Sequence, residues 1–490
     1  MIAAGLRPYQ IQAIDDVRSA IRSGKRRIML QIPTGGGKTL TGASMIAGAM
    51  DKGSRSLFVA HRLELIDQTV TAFARLGILS LGVIRSNDRR SDPSQPIQVA
   101  SVQTLARRRQ VVRDVKLVFV DEAHRAAGAS YERHVWAAYP DAVIVGLSAT
   151  PCRTDGKPLG KYFDAMVSGP SYSSLIKQGH LVEPYVYSTP VLPDLSSVRT
   201  VAGDYNAEDL EAAVNRSALI GSLLSEWRRR ASDRRTVIFA VSVAHSKAIV
   251  QLFSEDGVRA EHLDGTTPED LRRGILARLA SGETQVVVNV GVLCEGWDLP
   301  SCKCLVLARP TKSLVLYMQM AGRILRPFEG VKPIILDHGG NVDRHGMPHA
   351  DREWSLEDQV QKGGTAPAKT CPACFAMIGS AMMSCPHCGH EFPVAPEPLP
   401  LPKVDPLLEH VELALRNLPI DDDPQAAAFK KLAMQAREKG WKPGAAYHRF
   451  VDRFQREPDH AWTKALRRAY KADDAWQSAV NGRMGNDGMS

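Results

Sequence analysis

Between residues 25 and 150, short runs that are apolar on both faces alternate with amphipathic, helix-like stretches. The strand candidates are Ile28–Ile32, Leu57–Ala60, Ile97–Ala100, Leu117–Val120 and Val143–Leu147. A strand apolar on both faces must be covered on both, and strands separated by helical crossovers pair in parallel. The segment therefore reads as a parallel sheet between two helical layers. The rhythm breaks at Pro184–Asp204, which is rich in Pro, Ser and Thr. A second series follows, with strands at Thr236–Ala240, Gln285–Val290, Cys304–Ala308 and Ile334–Asp337. Two α/β domains in tandem are the simplest parse.

The remainder of the 490 residues leaves room for further modules, since roughly 150 residues make a domain. Gln361–Lys369 reads as a Gly/Ala/Lys linker, and the proline-rich Val394–Pro406 as a stiff spacer. Leu407–Leu418, Ala426–Lys439 and Ala461–Ala479 carry helical periodicity. The expected divisions are 1–190, 205–345, a cysteine-rich module at 366–394 and a basic helical region at 407–485. Ordinary globular composition, 44% hydrophobic and 23% charged, excludes a collagen-like, coiled-coil or wholly disordered chain. No apolar run reaches the roughly 18 residues of a membrane span, and Met1–Pro8 lacks the features of a leader, so a cytoplasmic protein without membrane contact is expected. A net charge of +9 favours a polyanionic partner.

Gln31-Ile32-Pro33-Thr34-Gly35-Gly36-Gly37-Lys38-Thr39 follows a predicted strand and opens a predicted helix. Glycines at 35, 36 and 37 let backbone N–H groups turn inward around phosphate oxygens, and the helix start adds its positive dipole. Lys38 would reach the β- and γ-phosphates of ATP, and the Thr39 hydroxyl would ligate Mg²⁺. The strict phosphate-loop pattern asks for glycine where this chain has Ile32. Val118-Phe119-Val120-Asp121-Glu122-Ala123-His124 also sits at the end of a strand, where open parallel sheets place their ligands. Asp121 is suited to hold Mg²⁺ and Glu122 to deprotonate an attacking water. An isolated acidic pair there would be an ordinary helix cap; beside a phosphate loop it reads as catalytic.

At this point the chain resembles the superfamily-two helicases, in which Asp-Glu-Ala-His names the DEAH-box group. The resemblance implies that Leu6-Arg7-Pro8-Tyr9-Gln10 is the adenine-reading motif, with Gln10 the amide. Val59-Ala60-His61-Arg62 and Ser101-Val102-Gln103-Thr104 resemble the motifs that hold a nucleic-acid backbone, and Ser148-Ala149-Thr150 the one that couples hydrolysis to domain movement. Asn289-Val290-Gly291-Val292-Leu293-Cys294-Glu295-Gly296-Trp297-Asp298 resembles the fifth motif, which puts Asp298 on the nucleotide. Gln319-Met320-Ala321-Gly322-Arg323-Ile324-Leu325-Arg326 resembles the sixth. Its two arginines, three apart, are expected on one helical face, aimed at the γ-phosphate as arginine fingers. A solvated basic helix face is the alternative.

The sixth motif departs from that of DEAH-box RNA helicases by carrying Met320 and Leu325. The looser pattern resembles DNA translocases related to restriction-enzyme motor subunits, and RadD-type bacterial DNA-repair helicases. Gly440-Trp441-Lys442-Pro443-Gly444 is similar to C-terminal regions of phage and prophage helicases. The fold implied is two RecA-like parallel-sheet domains in tandem, then a zinc ribbon and a small helical C-terminal domain.

Cys371-Pro372-Ala373-Cys374 and Cys385-Pro386-His387-Cys388 are two knuckles separated by ten residues. Four thiolates suit tetrahedral Zn²⁺ in a closed, structural site. From Pro424 to Lys471, twelve Lys/Arg face four Asp/Glu, with Trp441, Tyr447, Phe450, Phe454, Trp462 and Tyr470 interleaved. These aromatics either stack on bases beside phosphate-tracking cations or form the core of a small basic domain. The expectation is an ATP-dependent helicase or translocase acting on nucleic acid, DNA before RNA, in replication, repair or recombination, with the C-terminal domain open to a protein partner. The alternatives are an RNA-remodelling ATPase, a duplex translocase without strand separation, and a binding adaptor with a defunct motor. Intact Lys38, Glu122 and Arg326 argue against the last.

Overall fold

Alternating side chains of the first seven strands divide between two apolar layers, and that division builds the first sheet. The computed structural model describes residues 5–61, 63–108, 112–153, 155, 157–294, 296–357, 368–392, 424–439 and 444–458. The strands are β1 (Arg27–Gln31), β2 (Arg55–Ala60), β3 (Gly82–Ile84), β4 (Ile97–Ser101), β5 (Val115–Asp121), β6 (Val143–Ser148) and β7 (Ala165–Ser168). They lie in the order β3-β4-β2-β5-β6-β1-β7, and every pair is parallel. Ile28, Leu30, Phe58, Phe119, Val145 and Leu147 fill one face. Met29, Leu57, Val59, Val118, Val120 and Ile144 fill the other. Each apolar side chain so buried is favoured by about 1.5–3 kcal/mol over exposure, which fixes the register, because a one-residue slip would exchange the two layers.

The second sheet comprises β8 (Tyr185–Ser188), β11 (Thr236–Phe239), β12 (Ala260–Leu263), β13 (Val286–Asn289), β14 (Cys304–Leu307) and β15 (Ile334–Asp337). A separate hairpin, β9 (Thr200–Val201) with β10 (Asp204–Tyr205), is inserted between β8 and β11. The order is β12-β13-β11-β14-β15-β8, again parallel throughout. Val237, Phe239, Leu305, Leu307 and Ile335 pack on one face, and Ile238, Val286, Val288, Val306 and Leu336 on the other. Both α/β halves therefore have the two-layered cover expected from sequence.

Tyr185–Ser188 lies inside the stretch that composition marks as an interruption, yet it pairs with β15 as an edge strand of the second sheet. The chain thus enters the second sheet before its helices begin. Past β15 it returns to the first half, where Leu159 N and Gly160 N both donate to Leu356 O (2.9 Å each) and Leu356 is buried among that sheet's side chains.

The cysteine segment forms a two-stranded ribbon, β16 (Ala368–Thr370) with β17 (Met377–Gly379). It continues the edge of β8: Tyr187 bridges Ala376 and Ser188 N donates to Phe375 O (2.8 Å). Residues 1–392 form one compact unit and 393–490 another. In the second unit, helices Pro424–Glu438 and Gly444–Phe454 meet through Phe429 and Phe450, whose rings are perpendicular at 5.4 Å. Phe450 is 0% exposed, so it serves the core of this helical pair and is closed to base stacking. The remaining expected helices, Leu407–Leu418 and Ala461–Ala479, the spacer, and Trp441, Trp462 and Tyr470 lie outside the described residues. No helix among the described residues is long and apolar enough to cross a membrane.

Candidate nucleotide site and metal centre

Three neighbouring strands of the first sheet, β5, β6 and β1, end side by side, each on a polar residue. Gln31 of β1 pairs with Ser148 of β6, and Asp121 of β5 with Leu147, one residue earlier. Parallel pairing puts every C-terminal end on one edge, so residues distant in sequence arrive in one row.

From β1 the chain turns through 32–37 into helix Lys38–Met50. Gly35 and Gly37 have φ of 85° and 82°, a left-handed conformation that side chains resist. Gly36 is required by closeness instead: a Cβ there would lie 2.5 Å from Ile32 Cγ2. Ile32 is itself buried, which accounts for an apolar residue where the strict pattern has glycine. Lys38 and Thr39 open the helix, both half-buried. Gln10 braces the loop: its Nε2 donates to Gly37 O and Thr41 Oγ1 (3.2 Å each), and its Oε1 accepts from Arg7 N (2.8 Å). Tyr9, not singled out from sequence, donates its hydroxyl to Gly36 O (2.9 Å). Two residues of the first-motif segment thus hold the loop's shape.

Asp121 is buried and accepts from Glu122 N (3.0 Å). Burial, and then the adjacent Glu122 carboxylate, raise the Asp121 carboxyl above the usual range against the pull of Lys38. Glu122 has φ 47° and ψ 50°, a left-handed turn that is uncommon for glutamate. Its Oε2 is buried without a hydrogen-bond partner, 3.4 Å from His124 Nδ1. That same nitrogen lies 3.1 Å from Ser148 Oγ, which also accepts from Thr150 N (3.1 Å). The acidic motif and the Ser-Ala-Thr motif are therefore joined through one histidine. Two carboxylates crowded beside a single lysine form a donor set that suits a divalent cation. Asp121 and Thr39 would hold Mg²⁺, which would neutralise phosphate charge when bound.

Across from this row, helix Leu314–Ala321 stops at Gly322. Arg323 and Arg326 both follow the helix end, so they do not share a helical face as their spacing suggests. Arg323 is held by the preceding motif: its Nε and Nη2 donate to Cys294 O (2.9 and 2.6 Å) and its Nη1 to Trp297 O (2.8 Å). Arg326 instead pairs with Asp298 and lies over the phosphate loop, since a Cβ on Gly35 would be 3.6 Å from its Cγ and Nε. A Cβ on Gly322 would be 2.6 Å from Thr34 Cβ, so this glycine lets the two halves touch. Burial, and then the Arg7 and Arg75 cations, lower the Arg326 guanidinium to about 10, which leaves it charged near neutrality. Gln10, Thr34–Thr39, Asp121, Glu122, Asp298 and Arg326 thus gather around one cleft, and Arg323 braces it from behind.

The two strand-end motifs are connected as well. Gln103 Nε2 donates to His61 O (2.6 Å), and its Oε1 accepts from Ser101 Oγ (2.7 Å). Arg62 and Glu295 lie outside the described residues.

The Sγ atoms of Cys371, Cys374, Cys385 and Cys388 all lie within 4.8 Å of one another. The Cys371–Cys388 and Cys374–Cys385 separations are 3.6 Å. With Zn–S near 2.3 Å, a tetrahedron has edges of roughly 3.8 Å, so the donor set fits zinc. Gly389, at φ 73°, turns the chain after the second knuckle. Arg230 fastens the ribbon to the second half: it donates to Cys374 O (2.6 Å) and lies 3.9 Å over the Tyr187 ring.

Two family models match the chain, "Type III restriction enzyme, res subunit" over residues 4–153 and "Helicase conserved C-terminal domain" over 216–327. A 51.5 kDa protein of a Lactococcus phage (isolate 7-9) is 31% identical over 75% of this chain and 78% of its own length. IRC3 of Saccharomyces cerevisiae, assigned as an ATP-dependent helicase, is 32% identical over 66% of this chain, which spans about half of it (49%). Among solved structures, a fragment assigned as the HsdR subunit of a type I restriction enzyme from Vibrio vulnificus YJ016 superposes with a TM-score of 0.55. It is 23% identical, over 69% of this chain and 65% of that one.

Proposed function

The chain belongs to the superfamily-two helicases, in the group related to restriction-enzyme motors, and from that premise we propose that it is a nucleic-acid-dependent ATPase that moves along or unwinds DNA. The observation that carries this reading is the convergence of both halves on one cleft: Lys38, Thr39, Asp121 and Glu122 from one side, Arg326 and Asp298 from the other. Lys38 and the N–H groups of the glycine loop bind the phosphates. Glu122, whose Oε2 accepts no hydrogen bond among the described residues, is placed to take a proton from water. Arg326 neutralises charge on the transferring phosphoryl group. Because that arginine belongs to the second half, a γ-phosphate draws the halves together and its loss releases them. The coupled Gln103–His61 and His124–Ser148 contacts then carry the change toward the strand. DNA is favoured over RNA by the restriction-enzyme family description and by the loosened sixth motif.

The DEAH-box assignment and the C-terminal domain's role in nucleic-acid or protein binding are parts of the same proposal. ATPase rates measured side by side with single-stranded DNA, duplex DNA, forks and RNA test it. Stimulation by at least one DNA form above RNA is expected. Stimulation by RNA alone would favour RNA remodelling, and no stimulation by any of them would defeat the motor reading.

A further inference from the structure

The second sheet has an opposite edge, where its strands begin, and there a cavity of about 530 Å³ opens beside Arg234, Arg235, Arg259 and Lys303. Arg235 immediately precedes β11, Arg259 precedes β12 and Lys303 precedes β14. Parallel pairing gathers these starts into one row, as it does the nucleotide-binding ends. We propose that this cavity is a second oxyanion site, which takes the phosphate group of a nucleotide.

Its charge is unbalanced. Among the described residues that line it, the one carboxylate is Asp233, 80% exposed and 3.7 Å from Arg234. Lys303 is 3% exposed, and its ammonium donates to the carbonyl of Arg326. An ammonium has three donors and is costly to bury without negative charge nearby. Burial lowers its pKa, the neighbouring Cys302 pulls it back up, and Arg234 lowers it further. Arg234 Nε is buried and makes no hydrogen bond among the described residues; its contact to the exposed Asp233 carboxylate is a long ion pair. Four cations around one cavity repel each other, and an anion between them removes that repulsion.

The cavity wall is also built. Arg234 donates to Lys332 O (2.6 Å) and Arg259 to Gly282 O (3.1 Å), so backbone carbonyls orient both guanidinium groups before any ligand arrives. Gly282, at φ 87°, caps helix Glu269–Ser281 and lies against the Arg235 guanidinium, which a Cβ there would touch at 3.4 Å. Phe328 and Val331 supply the apolar side. Cations for a phosphate and a ring for a base are the two halves of nucleotide recognition, and the volume lies within the roughly 300–1,000 Å³ of small-molecule sites. The floor reaches the nucleotide cleft directly, because Lys303 holds the backbone of the arginine that faces the phosphate loop.

The phosphate has two sources, a free nucleotide or one unit of a nucleic-acid strand. The test is titration calorimetry with inorganic pyrophosphate, without Mg²⁺, on full-length Lys38→Ala protein. This is compared with the same protein carrying Arg235→Gln and Arg259→Gln, both checked by thermal melting for an unchanged fold. The two glutamines should weaken pyrophosphate binding by at least about tenfold, the expected loss for charge-assisted contacts. Equal affinity in the two proteins would overturn the site. Competition by AMP identifies a free nucleotide, and competition by a short oligo-dT but not by AMP identifies a strand. The readout is binding in a hydrolysis-blocked protein, so its failure leaves the proposed ATPase standing and a failed ATPase leaves this site standing.

Discussion

The two α/β halves have the same two-layered architecture but contribute to the cleft in different ways. In the first, the functional residues sit on the ends of three adjacent strands, one register step apart, so the sheet itself sets their spacing. In the second, Arg323, Arg326 and Asp298 sit on irregular chain beyond Gly322 and β13, held by backbone carbonyls and by one ion pair. The first half is built as a rigid floor. The second presents a wall on which Arg326 faces the phosphate loop while Arg323 ties down the Cys294–Trp297 segment.

The largest effects are expected at the floor. Lys38→Ala should nearly abolish ATPase activity, and Glu122→Gln should bind ATP with near-normal affinity while hydrolysing it very slowly. Nucleotide-binding titration beside steady-state rates separates the two, and turnover near wild type in either would remove the floor from the chemistry.

The next effect concerns the ribbon on the second half. Structural zinc contributes about 10–16 kcal/mol to modules of this kind, so chelation or Cys385→Ser should unfold it. Hydrogen exchange at the Ser188 amide, which donates to Phe375 O, should accelerate, while the amides of β11 and β14 stay protected. If elemental analysis of protein purified without chelator found no zinc, the centre would be wrongly assigned. Ser188 exchange unchanged on chelation would detach the ribbon from β8.

Acid should also separate the halves. Burial pushes the His245 and His338 imidazoles down to about 4, and both belong to the second half. Their unfolded values are near 6.5, so the unfolded chain binds more protons between about pH 6.5 and 4. Their contribution to stability is full above pH 6.5 and is lost as the pH falls toward 4, by up to about 1.4 kcal/mol per pH unit for each group. The buried Asp121 and Asp337 carboxyls, raised by burial, oppose this over the same range, so the contrast lies between proteins: from pH 7 to pH 5 the denaturant midpoint should fall less, or rise more, in His338→Asn than in wild type.

Smallest is the effect of the basic tail. Truncation after Pro406 should flatten the dependence of log K on log salt. The slope should change by roughly 0.7 for each single-strand phosphate that the tail neutralises and by roughly 0.9 for each duplex phosphate, with little change in basal ATPase. An unchanged slope and affinity would make the basic surface incidental and favour a protein-docking role.

The interior strands of both sheets are legible because doubly covered strands are unbroken apolar runs. Asp121 and the glycine loop are legible because ligand chemistry allows few residue types at strand ends, and Ser148 through the resemblance of its motif. The edge strands β3, β7, β8 and β12 are hidden because an edge strand has one neighbour in its sheet and needs no long apolar run; only its distant pairing makes each a strand. The different contacts of Arg323 and Arg326 are hidden because helical spacing does not hold beyond Gly322, where the helix ends. The resemblance puts Gln10 at the nucleotide, but its bonds to Gly37 and Thr41 depend on the loop folding back against the first helix, which local pattern does not encode.

The direct test of this two-sided cleft is single-turnover ATP hydrolysis by Arg326→Ala beside Arg323→Ala, with ATP affinity measured for each. With Arg326 facing the phosphates, its loss should slow hydrolysis by about 10³-fold or more, as for other arginine fingers, with ATP affinity changed only a few-fold. Arg323→Ala should act mainly by loosening the Cys294–Trp297 loop, with a smaller loss of rate and a lowered melting temperature. Hydrolysis near the wild-type rate in Arg326→Ala, or an effect confined to nucleic-acid affinity, would contradict a cleft completed from the second sheet.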